Sequence, residues 1–180
     1  MDTTSHQVIL ELAKFREASD LQALESASDL VGSMQPGADE KLPDLRKFHQ
    51  DKLILWLKVL NAIDAKLDPK FDANNTPALA VTPPPDAQVP AGADPNSIRD
   101  PKIRAEYLDS ITANQEKARY YSLQYKLHRL NEQISGDVEA YVRKFHLGNA
   151  EEKTEYLQLV EKVVASPQRR ASLQSLALAP

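Results

Sequence analysis

Cysteine is absent from this 180-residue chain. Disulfide frameworks, thiol nucleophiles and cysteine-based zinc sites are excluded together. The compartment stays open, because cytoplasmic and periplasmic or exported proteins can all be cysteine-free. Glycine is scarce too: the five glycines, Gly32, Gly37, Gly92, Gly136 and Gly148, are all isolated. No Gly-x-Gly, Walker or Gly-x-Ser-x-Gly pattern can be written, which removes the common phosphate-cradling loops and the serine-hydrolase elbow.

Long apolar runs are also missing. The longest cluster, Leu53-Ile54-Leu55-Trp56-Leu57, stops at Lys58, far short of the ~20 residues that span a bilayer. The opening Met1-Asp2-Thr3-Thr4-Ser5 has neither the basic nor the apolar region of a signal peptide. Positive charge is not in excess. A formal net charge of −4 argues against a global field for nucleic acid, though it leaves room for a local basic patch. Alternating strand patterns do not occur; Ala78–Val81 is too short and sits among prolines.

Metal chemistry finds little support. His6, His49, His128 and His146 lie in four different segments, none with a glutamate three residues before it. The Glu-x-x-His signature of di-iron bundles and the His-Glu-x-x-His zinc motif are both missing. His128 and Glu132 stand one turn apart, a spacing that reads as an exposed ion pair. Asp64, Asp68, Asp72 and Asn74 lack the spacing of a calcium loop. Asn74-Asn75-Thr76 fits the glycosylation pattern, but Pro77 follows it and the stretch reads as a polar loop.

What is present is helical periodicity. With 42% hydrophobic residues, the chain has enough to fold. Thr4 with Gln7 reads as a capping box, followed by the stripe Val8, Ile9, Leu12 and Phe15. Ser19 with Gln22 repeats the signal before Leu21, Leu24, Ala27, Leu30 and Val31, and Pro36-Gly37 ends that helix. A third helix is expected over 43–67, with Pro43 in its first turn and Trp56 among leucines in its core.

Residues 69–95 then hold seven of the twelve prolines, which predicts an extended connection. Asp100 as cap and Pro101 as first residue announce the longest helix, expected over 101–134. At 1.5 Å per residue it would run roughly 50 Å. Two apolar stripes wind along it: Ile103, Tyr107, Ile111, Ala118, Tyr121 and Tyr125, and the heptad-like Tyr120, Leu123, Leu127, Leu130 and Ile134. They overlap in the C-terminal half, which is expected to be buried from two sides. Three short helices should follow: 137–147 before Gly148, one capped by Asn149 with Glu152, and one opened by Ser166-Pro167.

The expected fold is therefore all-α: an elongated bundle of about six helices, two of them long, with a proline-rich connecting loop. Residues 1–68 form an N-terminal helical part, 69–99 the linker, and 100–180 the long helix with the short C-terminal ones, together one folded unit.

The feature that points to function is a basic and aromatic cluster. Lys117, Arg119, Tyr120, Tyr121, Tyr125, Lys126, His128 and Arg129 crowd one stretch whose only nearby carboxylate is Glu116. Tyrosine and arginine dominate protein-binding hot spots. They also suit single-stranded nucleic acid, a reading the acidic net charge opposes. The plainer alternative packs the tyrosines inward and leaves the cations solvated.

The expectation is a non-enzymatic protein-binding module of the inhibitor, immunity, adaptor or assembly-factor kind. Its partner is another protein or a second copy, and Arg104, Tyr107, Lys117, Tyr120, Tyr121, Tyr125 and Arg129 carry the contact. No catalytic residue, metal, cofactor or membrane contact is implied. The alternative is a helical enzyme or small-ligand carrier in which Glu106, Tyr107, Asp109, His128 and Glu132 converge on a pocket. A third possibility is a homo-oligomer with the Tyr120-to-Ile134 stripe as its seam.

Overall fold

The computed structural model describes residues 3–38, 41–71, 94, 96 and 99–178. They form six α-helices: α1 (Thr3–Ala18), α2 (Leu21–Ser33), α3 (Leu42–Lys66), α4 (Pro101–Phe145), α5 (Ala150–Val163) and α6 (Pro167–Leu178). No strand occurs among the described residues, and the fold is all-α. The chain divides into two compact units, one made of residues 1–67 and 129–180, the other of residues 68–128. Most of the proline-rich 69–99 stretch lies outside the described residues.

In the first unit α1 and α2 form a hairpin that rests on α3. Val8, Leu12 and Phe15 of α1 and Leu24, Ala27 and Val31 of α2 are buried to within 1%. Leu53, Leu57, Val59, Leu60 and Ile63 of α3 are completely buried. Each such side chain contributes roughly 1.5–3 kcal/mol of burial. Trp56 sits in this core, as its flanking leucines suggest, and its Nε1 has no partner. The α1–α2 turn is set by Ser19, whose φ of 53° lies in the left-handed region. The cap of α2 is Asp20, one residue beyond the expected Ser19; its carboxylate accepts from the Gln22 and Ala23 amides at 3.0 and 3.3 Å. Ser19 instead accepts from the Lys66 ammonium at 2.7 Å.

α3 holds its neighbours with polar side chains aimed at helix ends. The Lys52 ammonium donates to the Met34 carbonyl at 3.0 Å, just past the C-terminus of α2, where the helix dipole favours a cation. Burial holds its pKa below the usual lysine range. Asn61 donates to the Val163 carbonyl at 2.8 Å and accepts from the Ala165 amide at 3.1 Å, closing the end of α5. α6 is tied in by Arg169, which donates to both carboxylate oxygens of Asp64 at 3.0 and 2.8 Å, to Ser135 Oγ at 2.8 Å, and to Asn131 Oδ1. Tyr156 of α5 is buried and donates to the Leu173 carbonyl of α6 at 2.6 Å.

Several helix starts are capped as their residues predict. Asp100 accepts from the Lys102 amide at 2.9 Å, with Pro101 first in the helix. Asn149 accepts from the Glu152 amide at 2.9 Å, and Glu152 reaches back to the Gly148 amide at 2.9 Å. Ser166 accepts from the Arg169 amide at 3.2 Å.

The longest helix departs from expectation. α4 does not stop near residue 134; it runs through Gly136 to Phe145 and absorbs the separate 137–147 helix. A helical glycine costs about 1 kcal/mol relative to alanine. Ile134, Val138 and Val142, spaced one turn apart, are buried to within 1% and outweigh it. The expected burial of the C-terminal half from two sides is also not observed. Gln124, Leu127, Ile134, Val138 and Val142 bury one face, while Tyr121 is half-buried and Tyr125 exposed.

In the second unit the chain after α3 is held against α4. The Asp68 amide donates to Gln124 Oε1 at 2.9 Å, and the Tyr120 hydroxyl donates to the Asp68 carboxylate. The Phe71 ring lies 6.3 Å from that of Tyr121.

Candidate functional site

The seven residues expected to carry a contact all lie on α4, but they do not share one surface. Tyr107 is 1% exposed, so it is a core residue rather than a contact residue. Tyr120 turns its hydroxyl into the bond with Asp68 and its ring edge toward Tyr121, 5.2 Å away. That bond pushes the Tyr120 hydroxyl up to about 12 and holds the Asp68 carboxyl below the usual aspartate range. Both tyrosines are thus engaged in holding the Asp68–Phe71 segment. Tyr125 is different: its side chain is 49% exposed. Lys117 is exposed on the opposite side of α4 from Lys126, and Arg129 is exposed in the first unit.

An α-helix turns about 100° per residue. Arg104, Leu108, Thr112, Gln115, Arg119, Ser122 and Lys126 therefore fall on one stripe within the second unit. All but the half-buried Arg104 are exposed. Glu106 and Asp109 fall off the stripe, while Glu116 flanks it one turn before Arg119. Arg119 and Lys126 make no hydrogen bond or ion pair among the described residues. Tyr125 lies about 100° round the helix from Lys126, on the same face as Tyr107. This half-exposed ring is the aromatic member of the predicted cluster that is neither buried nor bonded to the Asp68–Phe71 segment.

The convergence of Glu106, Tyr107, Asp109, His128 and Glu132 on a pocket is not observed. Glu106, Asp109 and Glu132 are exposed, His128 is half-buried and Tyr107 is buried. Nor does the Tyr120-to-Ile134 stripe offer a seam for a second copy. Leu127 and Ile134 are already buried to within 1% inside the chain.

A second feature escaped the sequence reading. In the first unit an open groove of about 810 Å³ lies between the start of α3, the end of α4 and the start of α5. Its floor includes the His49 imidazole stacked on the Phe145 ring, with centroids 4.0 Å apart and planes at 18°. His49 Nδ1 lies 2.6 Å from the Tyr141 hydroxyl. At the rim Arg46 donates to Glu155 at 2.6 Å and lies 3.1 Å from Glu151, while Gln50 also donates to Glu155. His146 lines the groove but is 5% exposed, and its Nε2 is buried without a partner. Burial, reinforced by the neighbouring His49, lowers the His146 imidazole to about 4. His49 and His146 belong to segments almost a hundred residues apart, and no local pattern links them.

Among the described residues no three acidic or histidine side chains cluster to hold a metal ion, and no helix is long and apolar enough to cross a membrane. No family model matches the chain, no curated protein matches it and no solved structure matches it.

Proposed function

We propose that this chain is a non-enzymatic helical module that binds another protein through the exposed surface of α4. The observation that carries the reading is Tyr125. A tyrosine ring left 49% exposed, on a helix that also exposes Arg119 and Lys126, is of the residue type that dominates interface hot spots. Burying that ring removes apolar area from water, while the cations give orientation. Tyr120 and Tyr121, already holding the Asp68–Phe71 segment, give the surface a fixed backing. Affinity capture from native extract tests the reading. A stoichiometric protein retained by the wild type and lost by Tyr125→Ala supports it. Equal capture by both chains contradicts it.

A second reading, a small-ligand carrier, is favoured by the groove beside His49 and Phe145. Its volume of about 810 Å³ falls in the range of small-molecule sites. Its floor is aromatic, and the buried His146 nitrogen lacks a partner. A thermal-shift screen with small aromatic acids tests this. Stabilisation that disappears in Phe145→Ala supports a ligand in the groove. Absence of any stabilising compound, or persistence of the shift in that variant, contradicts it.

A further inference from the structure

We infer that the corner between α4 and α5 is an acid-operated latch: a proton on His146 opens the joint of the end of α4 and the start of α5 with α3, while the core of α1, α2 and α3 stays closed. His146 directly follows the last residue of α4. Its ring packs 5.6 Å from that of Tyr141 and 6.3 Å from that of Tyr156. It is 5% exposed, and its Nε2 has no hydrogen-bond partner among the described residues. The imidazolium carries a hydrogen on both ring nitrogens. Its Nε2–H would be a buried, charged donor with nothing to receive it, a larger cost than a bare neutral nitrogen.

The groups around the ring give little relief. From α3, His49 opposes a further positive charge, and the Lys52 ammonium lies 5.0 Å from the Tyr141 ring. From α4, the Tyr141 hydroxyl is engaged with His49 Nδ1 at 2.6 Å, and Lys144 lies over the Phe145 ring. From α5, the Glu155 charge favours a proton on His146, but that carboxylate already accepts from Arg46 and Gln50. Glu152 accepts from the Gly148 amide, and the Tyr156 hydroxyl is spent on the Leu173 carbonyl.

The joint is also the seam most easily parted. The start of α5 is tied to α3 by Arg46 with Glu151 and Glu155, at a rim where the Arg46 side chain is 41% exposed. Ion pairs so open to water hold weakly. The core of α1, α2 and α3 rests instead on completely buried Leu24, Leu53, Leu57 and Leu60, and it contains no buried histidine. Opening the joint uncovers the floor of the groove, where Phe145 stacks on His49.

Amide hydrogen exchange of the full chain at pH 7 and pH 5, corrected for the intrinsic rate at each pH, tests the latch in wild type, His146→Phe and His146→Gln. The His146 ring is titrated by proton NMR in the wild type. With the opened ring at the ordinary 6.5 and the closed ring at about 4, the open fraction rises ~20-fold between pH 7 and pH 5. Residues 142–156 of the wild type should lose protection by that factor, while α1 and α2 change less than ~2-fold. Both variants should lack the pH-dependent loss, and the His146 resonance should titrate below the ordinary histidine range. An equal loss throughout the first unit shows that the proton acts through global unfolding alone and overturns the latch. A loss at 142–156 that persists in the variants assigns it to another group and overturns it as well. So does a His146 ring that titrates as an ordinary histidine, a result that stands even if neither variant folds.

Discussion

Replacing Arg169 with alanine should destabilise the first unit more than any other single change at a charged residue. The guanidinium donates twice to Asp64, once to Ser135 and once to Asn131, so one side chain of α6 joins α3 and α4. The pair is sheltered, with side chains 13% and 20% exposed for Arg169 and Asp64. Breaking a fully buried pair by removing one partner costs about 3–5 kcal/mol, because the remaining charge is stranded. Water reaches Asp64 here, and that relief brings the figure to about 2–4 kcal/mol.

For a chain of this size that corresponds to a fall of roughly 4–16 °C in Tm. Arg169→Lys should recover less than half of the loss, since an ammonium cannot reproduce the two parallel bonds to one carboxylate. The assay is urea unfolding followed by far-UV circular dichroism on wild type, Arg169→Ala, Asp64→Ala and the double variant. The double variant should cost clearly less than the sum of the singles, with a coupling of about 1–2 kcal/mol. Additive losses, or a single-variant loss below ~0.5 kcal/mol, would refute the role given to this network.

Further outcomes follow from other positions. Gly136→Ala should stabilise the chain by about 0.5–1 kcal/mol, because a Cβ there meets nothing within 4 Å and the backbone is helical; a destabilised variant in the same unfolding assay would show that α4 needs its glycine. His146 supplies a pH dependence. Its folded pKa of about 4 lies below the ordinary 6.5, so the unfolded chain binds the proton more readily. The stability linked to this group is complete above pH 6.5 and falls as the pH drops toward 4, by at most about 3 kcal/mol. The fall in urea midpoint between pH 7 and pH 5 should shrink in His146→Gln, and an unchanged fall would remove the linkage. Tyr156→Phe removes the side-chain bond to the Leu173 carbonyl while the helix keeps its own bond there, and should cost about 0.5–1.5 kcal/mol by urea unfolding; no loss would mean that the α5–α6 contact is held by packing alone.

Helix identity was legible where caps and periodicity agree. Asp100-Pro101, Asn149 with Glu152, and Ser166-Pro167 each start a helix where their chemistry directs. Gly136, taken alone, marks a helix boundary between 134 and 137, but α4 continues through it. Ile134, Val138 and Val142 carry the helical spacing straight across it, and that signal was present in the sequence. Exposure was harder to read. Tyr107 and Tyr125 share one face of α4, yet one is 1% and the other 49% exposed; nothing in the local pattern separates them, because burial depends on what the rest of the chain brings there. The His49–Phe145 stack was illegible for the same reason. Its members come from α3 and α4, and long-range pairing leaves no periodic trace.

The most direct test of α4 as a protein-binding surface is photocrosslinking from a single position. A benzophenone-bearing residue in place of Tyr125 is compared in native extract with the same residue in place of Glu25, an exposed position on α2. The account predicts one discrete crosslinked protein from position 125 and none from position 25. No specific product from position 125, or the same products from both positions, would contradict it.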